Sequence, residues 1–125
     1  MMKRRVVVTG FGVVHALGAD VKTFWNAIKE GKSGIKTITK FDTSDFSTKV
    51  GAQIDDFDVT LYIDKKEAKR MDLFTQYALA ASQEAVSMSG LDFSAMDPYR
   101  AGVLIGSGVG GMETLQNNCQ TLFEK

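Results

Sequence analysis

Residues 6–18 read VVVTGFGVVHALG, and the reading of this stretch decides what class of protein the chain is. Arg5–Thr9 is β-branched on every side of its centre, the pattern of a strand covered on both faces, usually in a parallel sheet. A buried strand running into a glycine-rich turn is how many nucleotide-binding domains begin. A dinucleotide fingerprint needs G-x-G-x-x-G, its third glycine letting helix and strand pack closely. Gly10 and Gly12 fit, but the third position is His15, and Gly18 arrives late. The variant with Thr-Gly, three residues and a further glycine fails because position 14 is Val14, and G-x-x-x-x-G-K-[ST] occurs nowhere. Apolar Val13, Val14, Ala16 and Leu17 would face a phosphate in place of backbone amides. The stretch therefore reads as a first strand whose glycines let the chain bend between packed layers, with His15 at a structural turn.

The rest of the composition narrows the field. A chain of 125 residues, 44% hydrophobic and with one proline, is that of a folded globular protein. Fifteen basic and fifteen acidic residues cancel, so no overall field invites nucleic acid or a membrane surface. One cysteine excludes an internal disulfide framework and fits a reducing compartment. The opening MMKRR is basic, but the apolar run behind it is too short for a signal-peptide core. Nothing approaches the ~20 apolar residues of a membrane span. A cytoplasmic protein is expected.

Asp20 can cap a helix from Val21 to about Lys29, with Phe24, Trp25 and Ile28 at helical spacing and Gly31 as its stop. Residues 32–60 read as a surface excursion with small strands over Ile35–Thr39 and Lys49–Ile54. Asp64 followed by Glu67 resembles a capping box, so a short helix is expected from Lys65. The strongest helix is 72–89, closed by Gly90. Phe74, Tyr77, Ala78, Ala81, Ala85 and Met88 form one stripe, with Leu79 and Val86 opposite, as in a helix buried between layers. A second strand, Gly102–Ile105, follows Pro98, and a last helix starts near Met112 and runs to the end. So much covered helix demands more sheet than two strands supply. The expectation is an incomplete α/β piece of a larger protein, with a complete small domain as the alternative.

GSGVGG is the second glycine motif: Gly106, Gly108 and Gly111 match G-x-G-x-x-G after a strand and before a helix. Alternatively, these glycines let the chain turn sharply and let another segment approach its backbone closely. His15 is the only histidine and Cys119 the only cysteine. Cys119 lies among Asn117, Asn118 and Gln120, with no charged neighbour to activate it, and reads as an incidental thiol. No cluster has metal-ligand spacing, so no metal is expected. In DKKEAKRMD, Lys66, Lys69 and Arg70 fall at i, i+3 and i+4, so a helix would set them on one face. Such a run is either a solvated face or a local spot for an acidic protein or a phosphate.

Several segments taken together resemble a known family. KRRVVVTGFGVVHALG, FWNAIKEGKSGI, FDTSDFSTKV, IDKKEAKRMDLFTQYALAASQEA and GVLIGSGVGGMETL are similar, in order, to the N-terminal third of type II 3-oxoacyl-acyl-carrier-protein synthases. The most specific parts are GKSGI, the KKEAKRMD–FTQYA pair and IGSGVGGMET.

The resemblance implies an α/β thiolase-like fold, five α-β-α-β-α layers in the full homodimeric protein, of which residues 1–125 are an incomplete part of the first half. It implies a decarboxylating Claisen condensation between an enzyme-bound acyl group and malonyl carrier protein in fatty-acid elongation. It implies no separate cofactor, the substrates riding on the phosphopantetheine of acyl carrier protein. The family's acyl-accepting cysteine and two assisting histidines lie downstream of the matched portion, so this chain is expected to hold no catalytic residue and to be inactive alone. Lys66, Lys69 and Arg70, with Lys65 beside them, match the basic helix that docks the acidic carrier protein. Val109, with Gly108, matches the loop at the acyl pocket, where a β-branched side chain limits chain length or gates entry. His15-Ala16 departs from the family's usual Ser-Pro or Thr-Pro. A non-catalytic partner of the same fold, such as a chain-length factor or a carrier-protein binder, is the rival reading, and a polyketide relative shares the early motifs.

Overall fold

The structure is a computed structural model that describes residues 4–124; Met1–Lys3 of the basic opening run, and Lys125, lie outside them. In chain order the elements are helix α1 (Val21–Lys29), strands β1 (Ile35–Thr37) and β2 (Val50–Ala52), the one-turn helix α2 (Lys65–Ala68), and helices α3 (Leu73–Ser89) and α4 (Met112–Phe123). Short 3-10 turns occupy Val59–Leu61, Phe93–Ala95 and Pro98–Arg100. No described helix is long and apolar enough to cross a membrane.

α3 is the axis on which the rest is hung. The helix ends where Gly90 takes a left-handed conformation (φ 65°), as expected of a glycine just past a C-terminus. Along its length runs the opening stretch. A Cβ on Gly10 would lie 2.1 Å from the Ala85 carbonyl oxygen, and one on Gly12 would lie 1.9 Å from that of Ala81. The register is geometric: two residues of extended chain advance roughly 6.6 Å, and four residues of helix about 6 Å. Glycines at i and i+2 therefore meet carbonyls at j and j−4, with the segment antiparallel to the helix. The expectation of glycines serving close packing holds, and their neighbour is a helix backbone.

Glu84, which precedes Ala85 and whose Cβ itself faces Gly12, completes the joint. Its carboxylate accepts from the Val13 amide at 3.0 Å and from the Val21 amide at 2.7 Å. Val21 is the first residue of α1, whose leading amides have no partner within the helix. Asp20 satisfies a second of them, accepting from the Thr23 amide at 2.9 Å and the Thr23 hydroxyl at 2.6 Å. Those bonds, the hydroxyl's first, hold the Asp20 carboxyl below its ordinary pKa. α1 forms where the sequence places it. His15 closes the turn before it: its amide and carbonyl both pair with Gly18, its Nδ1 accepts from the Leu17 amide at 3.2 Å, and its ring meets Phe24 edge-on at 5.1 Å.

β1 and β2 form an antiparallel hairpin in register Ile35↔Ala52, Lys36↔Gly51 and Thr37↔Val50. They are the trimmed cores of the two expected strands, and an ion pair between Lys36 and Asp55 spans them. Phe57 then meets Tyr77 of α3 edge-on at 5.0 Å, and Gln83 donates to the Tyr62 carbonyl at 3.0 Å. These contacts seat the segment leading to α2.

Two expectations fail. Arg5–Thr9 and Gly102–Ile105 form no strand: the β1–β2 hairpin is the single sheet among the described residues. Val6 is 93% exposed and Leu104 97%. β-Branched residues favour an extended chain, but a ladder needs a partner edge, and the described residues supply none. α3 is likewise covered on part of its circumference. Gln76 and Ala80 are buried, and Ala81 and Ala85 lie under the glycines, while Leu79 and Val86 on the opposite side are more than a third exposed. The buried core comprises Ala27, Ile63, Ala68 and Ala80.

Candidate functional site

The basic stretch is built on a tight turn. Asp64 caps α2 by accepting from the Lys66 amide at 2.8 Å. The capping box is only half made: the bond goes to the second helical amide, not to that of Glu67, and the Glu67 side chain makes no return bond among the described residues. After Ala68 the helix tightens, with the Arg70 amide donating to the Glu67 carbonyl at 2.9 Å and the Met71 amide to the Ala68 carbonyl at 3.1 Å. Lys66, Lys69 and Arg70 were expected on one helical face; instead the helix is a single turn, Lys69 is its cap and Arg70 lies past it.

All four cations, Lys65, Lys66, Lys69 and Arg70, are exposed. Among the described residues the ion pairs are Lys32–Glu30 and Lys36–Asp55, so none neutralises this cluster. Ala68 and Ile63 anchor the turn from below, both buried. Gln76, buried at the start of α3, donates to the carbonyls of Ala68 at 3.0 Å and Met71 at 2.9 Å. Gln76 was not singled out in the sequence, where a glutamine inside an amphipathic helix looks like a surface residue. Its signal would have been its spacing one turn before Ala80, on the side that packs.

The second glycine motif lies across from this turn. Gly106 and Gly108 have no heavy atom within 4 Å of a would-be Cβ. The expected close approach of another segment occurs at Gly111 alone, where the Asp72 carboxylate would lie 2.2 Å from a Cβ. Gly110 holds φ +79°, a conformation that favours glycine, and its amide donates to the Ser107 hydroxyl at 3.0 Å. Asp72 also accepts from the Thr114 hydroxyl in the first turn of α4. A carboxylate thus sits at the helix N-terminus that a dinucleotide phosphate would need. That arrangement argues against the fingerprint reading of Gly106, Gly108 and Gly111.

The two features face one cleft of about 530 Å³. One wall carries Lys69, Asp72, Phe74 and Gln76; the other carries Gly110, Gly111, Thr114 and Asn117. Of the expected site residues, only Lys69 lines this cleft. Lys65, Lys66 and Arg70 lie on the exposed turn around it. Gly108 and Val109 stand just before the lining glycines, and Val109 is 73% exposed. Cys119 is exposed on α4. No group of His, Cys, Asp and Glu among the described residues could hold a metal ion.

Comparison with known proteins places this geometry. Residues 3–125 match the family model described as beta-ketoacyl synthase, N-terminal domain. The chain is 46% identical over 125 residues to 3-oxoacyl-[acyl-carrier-protein] synthase 2 of Vibrio harveyi, covering all of this chain and 30% of that protein. The chain therefore spans about a third of the length of the curated relatives it matches. Among solved structures it superposes on a type II PKS acyl-carrier protein in complex with its ketosynthase bound to the hexaketide. The TM-score is 0.75 at 27% identity, over 97% of this chain and 31% of that one. It also superposes on the ishigamide ketosynthase/chain length factor, with a TM-score of 0.65 at 36% identity over 73% of this chain and 23% of that one. The chain is part of an α/β, thiolase-like fold and belongs to the beta-ketoacyl synthase N-terminal domain family.

Proposed function

We propose that this chain is the N-terminal part of a β-ketoacyl synthase that extends acyl chains in fatty-acid synthesis. In that reaction the malonyl group loses carbon dioxide as its C–C bond breaks. The carbanion so formed attacks the acyl thioester, a new C–C bond forms, and the enzyme thiolate leaves. The cysteine and histidines that do this lie outside residues 1–125 on this reading, and the part played here is docking and pocket shaping. The substrates arrive as thioesters on the phosphopantetheine of an acidic acyl carrier protein, without a further cofactor, to a homodimer in the cytoplasm.

The observation that carries the reading is the exposed cluster of Lys65, Lys66, Lys69 and Arg70 on an anchored turn, with no ion pair to it among the described residues and with Lys69 lining a cleft that the glycine loop also lines. Exposed cations without intramolecular partners attract an acidic surface at long range and fix its register on arrival. On the glycine loop, Val109 carries an exposed β-branched side chain between Gly108 and Gly110, and on this reading it shapes the acyl pocket of the full-length protein.

The test is charge reversal of Lys66, Lys69 and Arg70 in a full-length synthase bearing this sequence. The KM for carrier-protein substrates should rise on the order of tenfold and its salt dependence should weaken, while small thioesters react as before. Equal losses on both substrates would remove the docking role. Separately, Val109→Phe should shorten the products; an unchanged product distribution would count against a pocket wall at that position. The likeness to a ketosynthase/chain length factor supports a second reading, a non-catalytic partner of the same fold. The downstream sequence separates the two, since a chain-length-factor-like partner would lack the nucleophilic cysteine.

A further inference from the structure

Gln76 occupies a place where a space-filling residue would serve better unless its carboxamide is needed. It is 9% exposed, and burying an amide without partners is unfavourable by several kcal/mol on apolar transfer scales. Its one NH2 group carries two hydrogens, and both are used: one on the Ala68 carbonyl and one on the Met71 carbonyl. Those two carbonyls bracket Lys69 and Arg70 in the chain.

A one-turn helix has no intrinsic stability in water, and its last carbonyls lack partners within the helix. α2 is four residues long, so its geometry must come from outside it. Asp64 holds its front. Gln76 holds its rear from the first turn of a 17-residue helix, where its own amide is bonded to the Asp72 carbonyl at 3.2 Å. The amide therefore transfers the rigidity of α3 to the backbone that carries two of the cations. We propose that Gln76 is the positioning residue that presents Lys69 and Arg70, in a fixed register, to an acidic carrier protein. The inference rests on the docking reading above. Pre-ordering the turn removes an entropic cost that binding would otherwise bear.

The experiment compares Gln76→Met, which keeps the length and loses both donors, with the charge-reversal variant, both in the full-length synthase. Gln76→Met should raise the KM for a carrier-protein substrate about fivefold, as the loss of hydrogen bonds in the range of 1 kcal/mol implies. Its kcat, and its kcat/KM on a small pantetheine thioester, should stay within about twofold. An unchanged carrier-protein KM, or an equal loss on both substrates, overturns the proposal. If charge reversal itself leaves the carrier-protein KM unmoved, the docking reading fails and takes this inference with it. If reversal raises KM and Gln76→Met does not, the inference alone fails. Should Gln76→Met not fold, amide hydrogen exchange on the unaltered synthase decides. The Arg70 and Met71 amides should then exchange at least about tenfold more slowly than that of Phe46 in an exposed turn; equal rates overturn the proposal.

Discussion

Gly10 and Gly12, and Gly106 and Gly108, are the same G-x-G pattern read twice, and the molecule uses them in opposite ways. The first pair is pressed against the α3 backbone, with no room for even one added carbon. The second pair stands in open space; behind it Gly110 has only Phe74 at van der Waals distance, and Gly111 alone is pressed close, against the Asp72 carboxylate. Spacing therefore says nothing about purpose until the opposing surface is known. In the first motif the two-residue repeat of an extended chain matches the four-residue repeat of a helix. In the second, glycine at 110 permits a positive φ and leaves Val109 projecting.

The sharpest break of this comparison is Gly12→Ala in the full-length synthase. The new Cβ would meet the Ala81 carbonyl oxygen, which belongs to a helix and cannot swing aside, so a loss of ~3 kcal/mol or more is expected. Thermal unfolding measures it, and a change below about 1 kcal/mol would mean that the opening segment does not lie on α3.

A smaller effect belongs to the joint that Gly12 shares with α1. Asp20→Ala should destabilise by about 1 kcal/mol, the usual worth of an N-cap. The sign with pH is fixed by the lowered carboxyl. The cap is fully present above the unfolded aspartate value near 3.9 and is lost as pH falls through the lower folded value. The gap between parent and variant should close below about pH 4; a gap constant down to pH 2 would remove the charge from the account.

The smallest effect is expected at the open motif. Gly108→Ala should shift stability by no more than about 0.5 kcal/mol, since a Cβ there meets no heavy atom within 4 Å. A Tm drop as large as that of Gly12→Ala would erase the contrast between the two motifs.

Local signals were legible wherever a residue acts on its own neighbours in sequence. Asp20, Asp64 and Gly90 end or begin helices through bonds spanning at most three residues, and each does so where the sequence places it. His15 reads as a turn residue and is one, closing its bridge to Gly18. The cations of 65–70 are visible as charge, but where the helix ends is not: regular helical hydrogen bonding stops at Ala68, and Lys69 and Arg70 follow in a tightened turn. Missed altogether were Glu84 and Gln76. Glu84 bridges 71 and 63 positions to reach Val13 and Val21, and the bonds of Gln76 depend on α2 folding back over α3. The spacing of Gln76 before Ala80 marks its side of the helix, but nothing in the spacing names the carbonyls it meets, and the partners of Glu84 lie too far along the chain for any periodicity to show them.

The strands at 5–9 and 102–105 mark the same boundary from the other side. Their composition favours a strand, but a ladder is a property of pairs, and no described segment pairs with either.

By itself the sequence determined the main helices and the caps of α1 and α2, the places of two short strands, the absence of a phosphate cradle at residues 6–18 and the family to which those motifs belong. Tertiary structure alone decided which glycines are packed and which are free, which buried side chains hold the basic turn, and that this turn and the glycine loop share a cleft. The physical reason is range. Capping, turn chemistry and periodicity act within a few residues, whereas close packing and buried hydrogen bonds are settled only when distant segments meet.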